Sequence, residues 1–334
     1  MHFLSSLALF AAQAVIILII ILLALTGILV IFSNTKKSAT RSEKIKLDNL
    51  SQKLNEQHQT LLAEVDKKGA KNFAKKMKSN TKDNSDPSHL YLINFDGDMK
   101  CTDVEQLRHQ ITAVIQLACK EKDEVLIRIN SGGGLVHRYG LAASQCQRIR
   151  EAGIPLTIAI DQVAASGGYL MAVTADKIIA APFAIIGSIG VVLQMPNFHK
   201  WLKKHNVDVE LLTAGEYKRT LTMLGENDSK ARQKCQEELN ETHTLFKDFV
   251  KHSRPQLDLH KVATGEHWYG IQALELGLVD KLQTSDDYIV EKLKSHISYE
   301  VTYLKKKNLK ERLGSQVQGL LQSVQSVLDG TLQR

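Results

Sequence analysis

The sequence predicts an α/β domain built on a parallel sheet, carried behind an N-terminal transmembrane helix and a helical stalk. Three observations predict it. From His89 onward, short apolar runs alternate with stretches of helical periodicity, the pattern of repeated strand-helix units. Ahead of them, Leu7 to Phe32 is apolar apart from Gln13, Thr26 and Gly27, and no Lys, Arg, Asp or Glu precedes Lys36. Between the two, residues 35–82 hold 13 Lys or Arg against 5 Asp or Glu, which leaves the rest of the chain near neutral within an overall net charge of +7.

About twenty apolar residues cross a bilayer, so residues 1–34 are read as a transmembrane anchor. A cleaved signal peptide would carry Lys or Arg before a shorter apolar run and a small-x-small site after it, and this start has neither. With no charge before the span and Lys36, Lys37, Arg41, Lys44 and Lys46 after it, the positive-inside rule places the body of the protein on the cytoplasmic side.

Residues 35–88 are read as a basic helical stalk and linker. Leu47, Leu50, Leu54, Leu61 and Val65 fall at helical spacing, broken by Gln57 and Glu64 where a coiled-coil seam wants apolar side chains. Residues 79–88 are polar and lack periodicity, as a flexible linker does. Because the basicity is confined to this segment, it argues against a nucleic-acid-binding domain. It favours contact with anionic lipid headgroups, at about 1 kcal/mol per basic residue near the surface. A solvated basic spacer is the alternative.

Residues 89–300 form the main domain. Leu90 to Phe95 reads as a strand, Val104 to Ala118 as an amphipathic helix, Val125 to Ile129 as a buried strand and Tyr139 to Arg150 as a helix. Leu156 to Ile160 follows as a strand, Gly167 to Ala175 as a helix, Lys177 to Ala181 as a strand, Phe198 to His205 as a helix and Val209 to Leu212 as a strand. The apolar run Phe183 to Met195 is interrupted by Gly187, Ser188 and Gly190, so it is core and not a second span. A long helix covers Ser229 to Ser253 ahead of Pro255. Gly270 to Leu276 closes at Gly277, and Leu278-Val279-Asp280 begins a short strand. Residues 301–334 are an amphipathic helical tail with Leu309, Leu313, Val317, Leu320 and Leu321 on one face, suited to dock on the domain, a partner or the membrane surface.

Cys101, Cys119, Cys146 and Cys235 lack CxxC spacing and read as ordinary thiols, with neither a zinc site nor a disulfide framework. No HExxH occurs, which excludes the common metalloprotease pattern, and no cofactor or metal is expected.

Three separated stretches fit one site. Ser166 stands between Ala164-Ala165 and Gly167-Gly168 at a strand-to-helix turn, where small neighbours leave a nucleophile accessible. The unpaired amides at a helix start are donors for a developing oxyanion. Taken alone, a serine before two glycines is a helix N-cap. The second stretch, Arg128-Ile129-Asn130-Ser131-Gly132-Gly133-Gly134, runs a buried strand into a glycine turn that presents backbone amides. In the third, Ala214-Gly215-Glu216-Tyr217-Lys218-Arg219, a lysine stands 52 positions beyond Ser166. A Ser/His/Asp triad would want a histidine soon after the nucleophile, and there is none between Ser166 and His199. His137 reads as a substrate-groove or structural residue, and His267 and Trp268 as core.

Together these stretches resemble the signal peptide peptidase A family of serine proteases, which use a Ser/Lys dyad, and within it the SohB-type members. The matching phrases are Asn130–Gly134, Ala164–Tyr169, Ile186–Val191, Gly215–Arg219 and Ala263–Asp280, and the likeness covers most of residues 89–300. It implies a ClpP-like, crotonase-related fold and a serine endopeptidase working without metal or nucleotide. Ser166 would be the nucleophile and Lys218 the general base. Gly134 and Gly167 would supply oxyanion amides with Gly133 supporting them, and Ser188 would hydrogen-bond and orient Lys218. The resemblance further implies membrane-associated peptide substrates such as remnant signal peptides, cut after a small or apolar residue. It also implies ring homo-oligomers in the bacterial inner membrane, with the peptidase domain on the outer side, opposite to the charge bias.

The family usually has Pro before the paired glycines where this chain has Gly132, so a looser oxyanion turn is expected. A lysine base must be held uncharged near neutrality, which for an ordinary lysine titrating near ~10.4 costs roughly 4 kcal/mol. Burial against residues 163–165 and 183–195, with repulsion from Arg219, is the expected source. An acyl-CoA enzyme on the crotonase scaffold, which would use the same glycine turns with paired carboxylates, and a non-catalytic membrane scaffold are the alternatives.

Overall fold

Consecutive apolar residues in a strand require cover on both faces of its sheet, and Leu90-Tyr91-Leu92-Ile93 meets that requirement by sending alternate side chains into two different clusters. The computed structural model describes residues 44–83, 87–215 and 217–305. Ile45–Tyr303 form one compact unit, and of the other unit, residues 1–44 with 304–334, only Lys44, Leu304 and Lys305 are described.

In chain order, β1 (Lys44–Asn49) leads into α1 (Leu50–Val65), whose first turn is capped by the Asn49 side chain accepting from Gln52 N at 2.8 Å. Asp66 ends that helix in an extended conformation and starts α2 (Lys67–Asp83), accepting from Lys68 N at 3.0 Å. Then come β2 (Ser88–Gly97), α3 (Val104–Leu117), β3 (Glu124–Ser131), α4 (Val136–Glu151), β4 (Leu156–Ile160), β5 (Val163–Ala165) and α5 (Gly167–Ala172). β6 (Lys177–Ala180), β7 (Ile185–Gly187), α6 (His199–Lys204) and α7 (Ser229–Ser253) follow. The chain closes with α8 (Leu259–Val262), β8 (His267–Tyr269), α9 (Gly270–Glu275), β9 (Lys281–Leu282), α10 (Ser285–Lys292) and β10 (His296–Leu304).

The main path of the sheet is β1-β10-β2-β3-β4-β6-β9, and the pairings from β10 through β9 are parallel. Parallel neighbours need crossovers, and α3 and α4 supply them for β2 to β3 and β3 to β4. Their apolar faces, Leu107, Ile111 and Val114 on α3 and Ala142, Cys146 and Ile149 on α4, cover Ile93, Ile127 and Ile158. The other face carries Leu92, Leu126, Ala159 and Ile179 under Tyr288 and Ile289 of α10 and Leu50 and Leu54 of α1.

A side branch leaves this sheet. β5 takes over the end of β3 beyond the reach of β4, pairs with β7 in parallel, and β7 pairs with β8 antiparallel.

Several expectations change. Residues 44–54, expected in the stalk, pack on the domain: Leu50 and Leu54 seat on the sheet and Ser51 Oγ accepts from Ser298 N at 2.7 Å, whereas Leu61 and Val65 are exposed. Helix replaces linker through Asp83. Val209–Leu212 is not a strand, since it pairs with no described neighbour. Of the run Phe183–Met195, Ala184, Ile186 and Ile189 are core while Phe183 and Val192 face solvent, since only the three residues Ile185–Gly187 are held in the sheet, as β7. Leu278–Asp280 precedes a strand that begins at Lys281. Residues 301–304, expected to open the helical tail, instead complete strand β10 beside β2. The apolar run Leu7–Phe32 and the tail beyond Lys305 lie outside the described residues, among which no helix is long and apolar enough to cross a membrane.

Candidate active site

Strand register assembles the site. Gly97 pairs with Ser131, Ser131 with Ala164, and Ala165 with Gly187, so the C-terminal ends of β2, β3, β5 and β7 lie side by side. This is the edge at which open parallel sheets present ligand-binding residues.

Ser166 follows β5 directly. Its φ of 51° and ψ of −117° lie where a non-glycine residue is strained by about 1–3 kcal/mol. Its amide donates to Gly187 O at 2.8 Å, which holds the turn. The side chain makes no capping bond to α5, so the helix-cap role does not account for this serine. No described hydrogen bond uses the hydroxyl, and the residue is partly exposed.

The glycine turn packs directly on it. Gly133 has φ 88°, and a β-carbon there would lie 2.7 Å from Ser166 Cβ, 2.6 Å from Gly167 N and 2.8 Å from Ala165 O. Only glycine meets both demands. A β-carbon on Gly167 would collide with the Tyr139 ring, and one on Gly134 with the Met99 carbonyl. Gly132, by contrast, has open space around it, so packing does not impose glycine there. The Gly133 amide donates to Ser131 Oγ at 3.1 Å, whereas no described hydrogen bond uses the amides of Gly134 or Gly167. Those two amides are available to an oxyanion.

Ser188 follows β7 as Ser166 follows β5, one step past the Ala165–Gly187 pair. It too has a left-handed φ, 50°, and its amide donates to Glu266 O at 2.7 Å. Gly187 pairs with His267 across the β7–β8 ladder, with the Trp268 ring against its α-carbon. The stretch Glu266–Tyr269 thus backs the turn that carries Ser188. His267 itself is exposed, and only Trp268 packs on the core as expected.

Lys218 departs from expectation. It is exposed, on a turn where its amide donates to Gly215 O at 3.2 Å, and no described contact joins its ammonium to Ser166 or Ser188. The described residues between His205 and Asp228 form neither helix nor strand. Within one chain, then, nothing described supplies the burial a neutral lysine requires, and Arg219 is equally exposed. His137 is also exposed. Cys101, in the turn beside Gly134, is no rival nucleophile: burial pushes its thiol up to about 11, so it stays protonated.

Sequence reasoning assigned no role to Ser131 or Tyr139, which meet at 2.6 Å beneath the glycine turn, nor to the Asp98–Met99 turn that meets it. The available signal was positional: Gly97 and Ser131 end adjacent parallel strands, and strand ends gather at sites. Two surface hollows of about 750 and 720 Å³, one lined by Arg150, Asp176 and His252 and the other by Arg108, Thr112 and Arg148, contain none of these site residues.

Residues 148–299 match peptidase family S49, and residues 2–146 match the peptidase family S49 N-terminal region. A probable protease SohB from Haemophilus influenzae is 46% identical over 318 residues, covering 90% of this chain and 89% of that protein. A probable protease SohB from Buchnera aphidicola is 57% identical over 203 residues, 61% of this chain and 66% of that protein. Among solved structures, the membrane-bound stomatin-specific protease 1510-N, in a mutant form with a substrate peptide, aligns at 15% identity and a TM-score of 0.39, over 69% of this chain and 98% of that one. On the strength of the family matches and the near full-length Haemophilus relative, this chain belongs to peptidase family S49 and is a serine-type peptidase.

Proposed function

We propose that the chain is a membrane-anchored endopeptidase in which Ser166 is the nucleophile and Lys218 the general base. One observation carries the reading: Ser166 is held at a left-handed φ, its hydroxyl unused by the helix start, with Gly133 and Gly167 packed against it. Ser166 Oγ attacks the scissile carbonyl carbon while Lys218 Nζ takes its proton. The oxyanion accepts from the Gly134 and Gly167 amides. Collapse breaks the C–N bond, and the proton passes from Lys218 to the leaving amine. Water, deprotonated by Lys218, then attacks the acyl ester, and Ser166 leaves with that proton. Ser188 hydrogen-bonds Lys218 and orients it.

Assembly supplies the burial that the single chain lacks. Leu193, Phe198, Trp201, Leu211 and Leu212 face solvent in residues 193–212, the segment that leads to Lys218, and apolar exposure of this kind marks interaction surfaces. The reading is a homo-oligomeric ring in which a second copy covers this stretch. The parallel sheet and its short side branch support a ClpP/crotonase-like domain over residues 89–300. The apolar run in residues 1–34 supports a single-pass anchor in the bacterial inner membrane, and the basic residues 35–88 support contact with anionic headgroups, on the cytoplasmic side by their charge. Membrane-associated peptides, remnant signal peptides among them, cut after a small or apolar residue, are the substrates that fit.

A serine-directed fluorophosphonate tests this. Wild type should be labelled on Ser166 and cleave a fluorogenic peptide, and Ser166→Ala should do neither. An unlabelled wild type, or one that cleaves acyl thioesters and not peptides, overturns the reading.

A further inference from the structure

We propose that Tyr139, acting through Ser131, is a positioning residue for the oxyanion amides. The inference rests on the reading of Ser166 as nucleophile and names what holds the groups facing it. Tyr139 is fully buried in the first turn of α4, directly after the glycine turn. Its hydroxyl donates to Asp98 O at 2.8 Å and lies 2.6 Å from Ser131 Oγ, which receives the Gly133 amide at 3.1 Å. Ser131 Oγ is also 3.2 Å from Gly97 O.

Two hydroxyl protons serve three oxygen–oxygen contacts, so one contact goes without. The two shorter ones are met when Ser131 donates to Tyr139 and Tyr139 donates to Asp98 O, and the longest, to Gly97 O, is the one left over. The chain then runs one way, from the Gly133 amide through Ser131 and Tyr139 to the Asp98 carbonyl, each link polarising the next. Burial pushes the Tyr139 phenol up, against the smaller opposing effect of its bond to Ser131, so it remains a donor through neutral pH.

The ring does a second job. It occupies the space that Gly167 leaves by lacking a β-carbon, and Phe95 meets it edge-on with ring centroids 6.5 Å apart. One side chain therefore fixes the Gly133–Gly134 turn through its hydroxyl and seats Gly167 with its face. The Asp98 end is anchored as well, since the next carbonyl, Met99 O, accepts from Leu135 N at 3.0 Å against Gly134. None of these hydroxyls needs to touch substrate. Amides aimed at an oxyanion act mainly in the transition state, so loosening them lowers kcat and spares KM.

The test uses the full-length enzyme with a fluorogenic peptide and a fluorophosphonate, on Tyr139→Phe, Ser131→Ala and the double variant. Rates are normalised to the folded fraction at the assay temperature, measured by thermal unfolding. Tyr139→Phe keeps the ring against Gly167 and deletes only the hydroxyl. Each single variant should lose about tenfold in kcat at unchanged KM, with a parallel loss in the Ser166 labelling rate. The double variant should be no slower than the worse single, because both break one chain. Losses that multiply in the double variant, a rise in KM at constant kcat, an unchanged labelling rate, or a deficit that vanishes on normalisation each overturn the proposal. Absence of Ser166 labelling in wild type would instead remove the nucleophile on which the proposal rests.

Discussion

Gly133 stands against Ser166 so closely that a β-carbon on the glycine would lie 2.7 Å from Ser166 Cβ and 2.6 Å from the Gly167 amide. The absence of a side chain thus lets the glycine turn touch the serine turn directly. Gly133→Ala should abolish peptide cleavage and fluorophosphonate labelling, because the methyl group must push the glycine turn away from Ser166 and the Gly167 amide. Its φ of 88° adds strain of about 1–2 kcal/mol, and relief of the overlap with the Gly167 amide and the Ala165 carbonyl must move backbone, so the thermal midpoint should fall by more than the strain alone would cost. A folded Gly133→Ala enzyme that labels at the wild-type rate would mean the oxyanion lies elsewhere.

Lys218 tests the proton path separately from the nucleophile. General-base removal costs about 10²–10⁴ in rate, so Lys218→Ala should lose kcat in that range with the unfolding of the single chain unchanged, since there the residue is exposed in a stretch without regular structure. Lys218→Arg should be as inactive as the alanine variant. A guanidinium keeps its proton and cannot serve as a base. Activity retained in the arginine variant would reduce Lys218 to a charge.

Much of this domain was legible because periodicity survives translation into packing. β2, β3, β4 and β6 announce themselves as apolar runs, and α7 matches its expected span Ser229–Ser253 because Asp228 caps one end and Pro255 follows the other. Three-residue strands were not legible. Val163–Ala165 and Ile185–Gly187 carry no alternation of their own and are strands only by pairing with Ser131 and with each other. Leu50 and Leu54 show why spacing alone does not separate residues 44–54 from the stalk, since helical spacing specifies a face and not what covers it. In β10 the signal was present and unread: Ile297, Tyr299, Val301 and Tyr303 alternate with polar residues. The glycine turn and Ser166 were legible from residue type, whereas Tyr139 beneath them needed three dimensions, and so did the exposure of Lys218.

Arg254 and Asp280 join the end of α7 to the start of β6. The guanidinium, with Arg254 only 5% exposed, donates to both Asp280 oxygens at 2.6 and 3.0 Å, and the carboxylate also accepts from Ile178 N at 2.7 Å. Burial alone would raise the Asp280 carboxyl, but these bonds outweigh it and hold it below the usual carboxylate range. A depressed folded-state value contributes stability that is present above the unfolded value near ~3.9 and is lost as pH falls through the folded one. Asp280→Asn should cost about 2–3 kcal/mol at pH 7, less than a wholly buried pair because the carboxylate is partly solvated. Denaturant unfolding should show that gap steady near neutrality and closing below about pH 4. A gap independent of pH would show that charge is not what the pair contributes.

The exposed apolar residues that precede Lys218 in the chain lead to a prediction about assembly. Leu212 is 92% exposed and Trp201 59%, with its ring against His205, a placement that adds little to the stability of a lone chain. Trp201→Ser with Leu212→Ser should therefore leave the monomer's unfolding free energy within about 0.5 kcal/mol of wild type. If a second copy covers this stretch, the same double variant should sediment as a smaller species and lose peptide cleavage, because Lys218 stays in water. Raising the protein concentration should restore part of the activity, and it should do nothing for Ser166→Ala. An unchanged sedimentation coefficient with full activity would separate the stretch from assembly and return the burial of Lys218 to a movement within one chain.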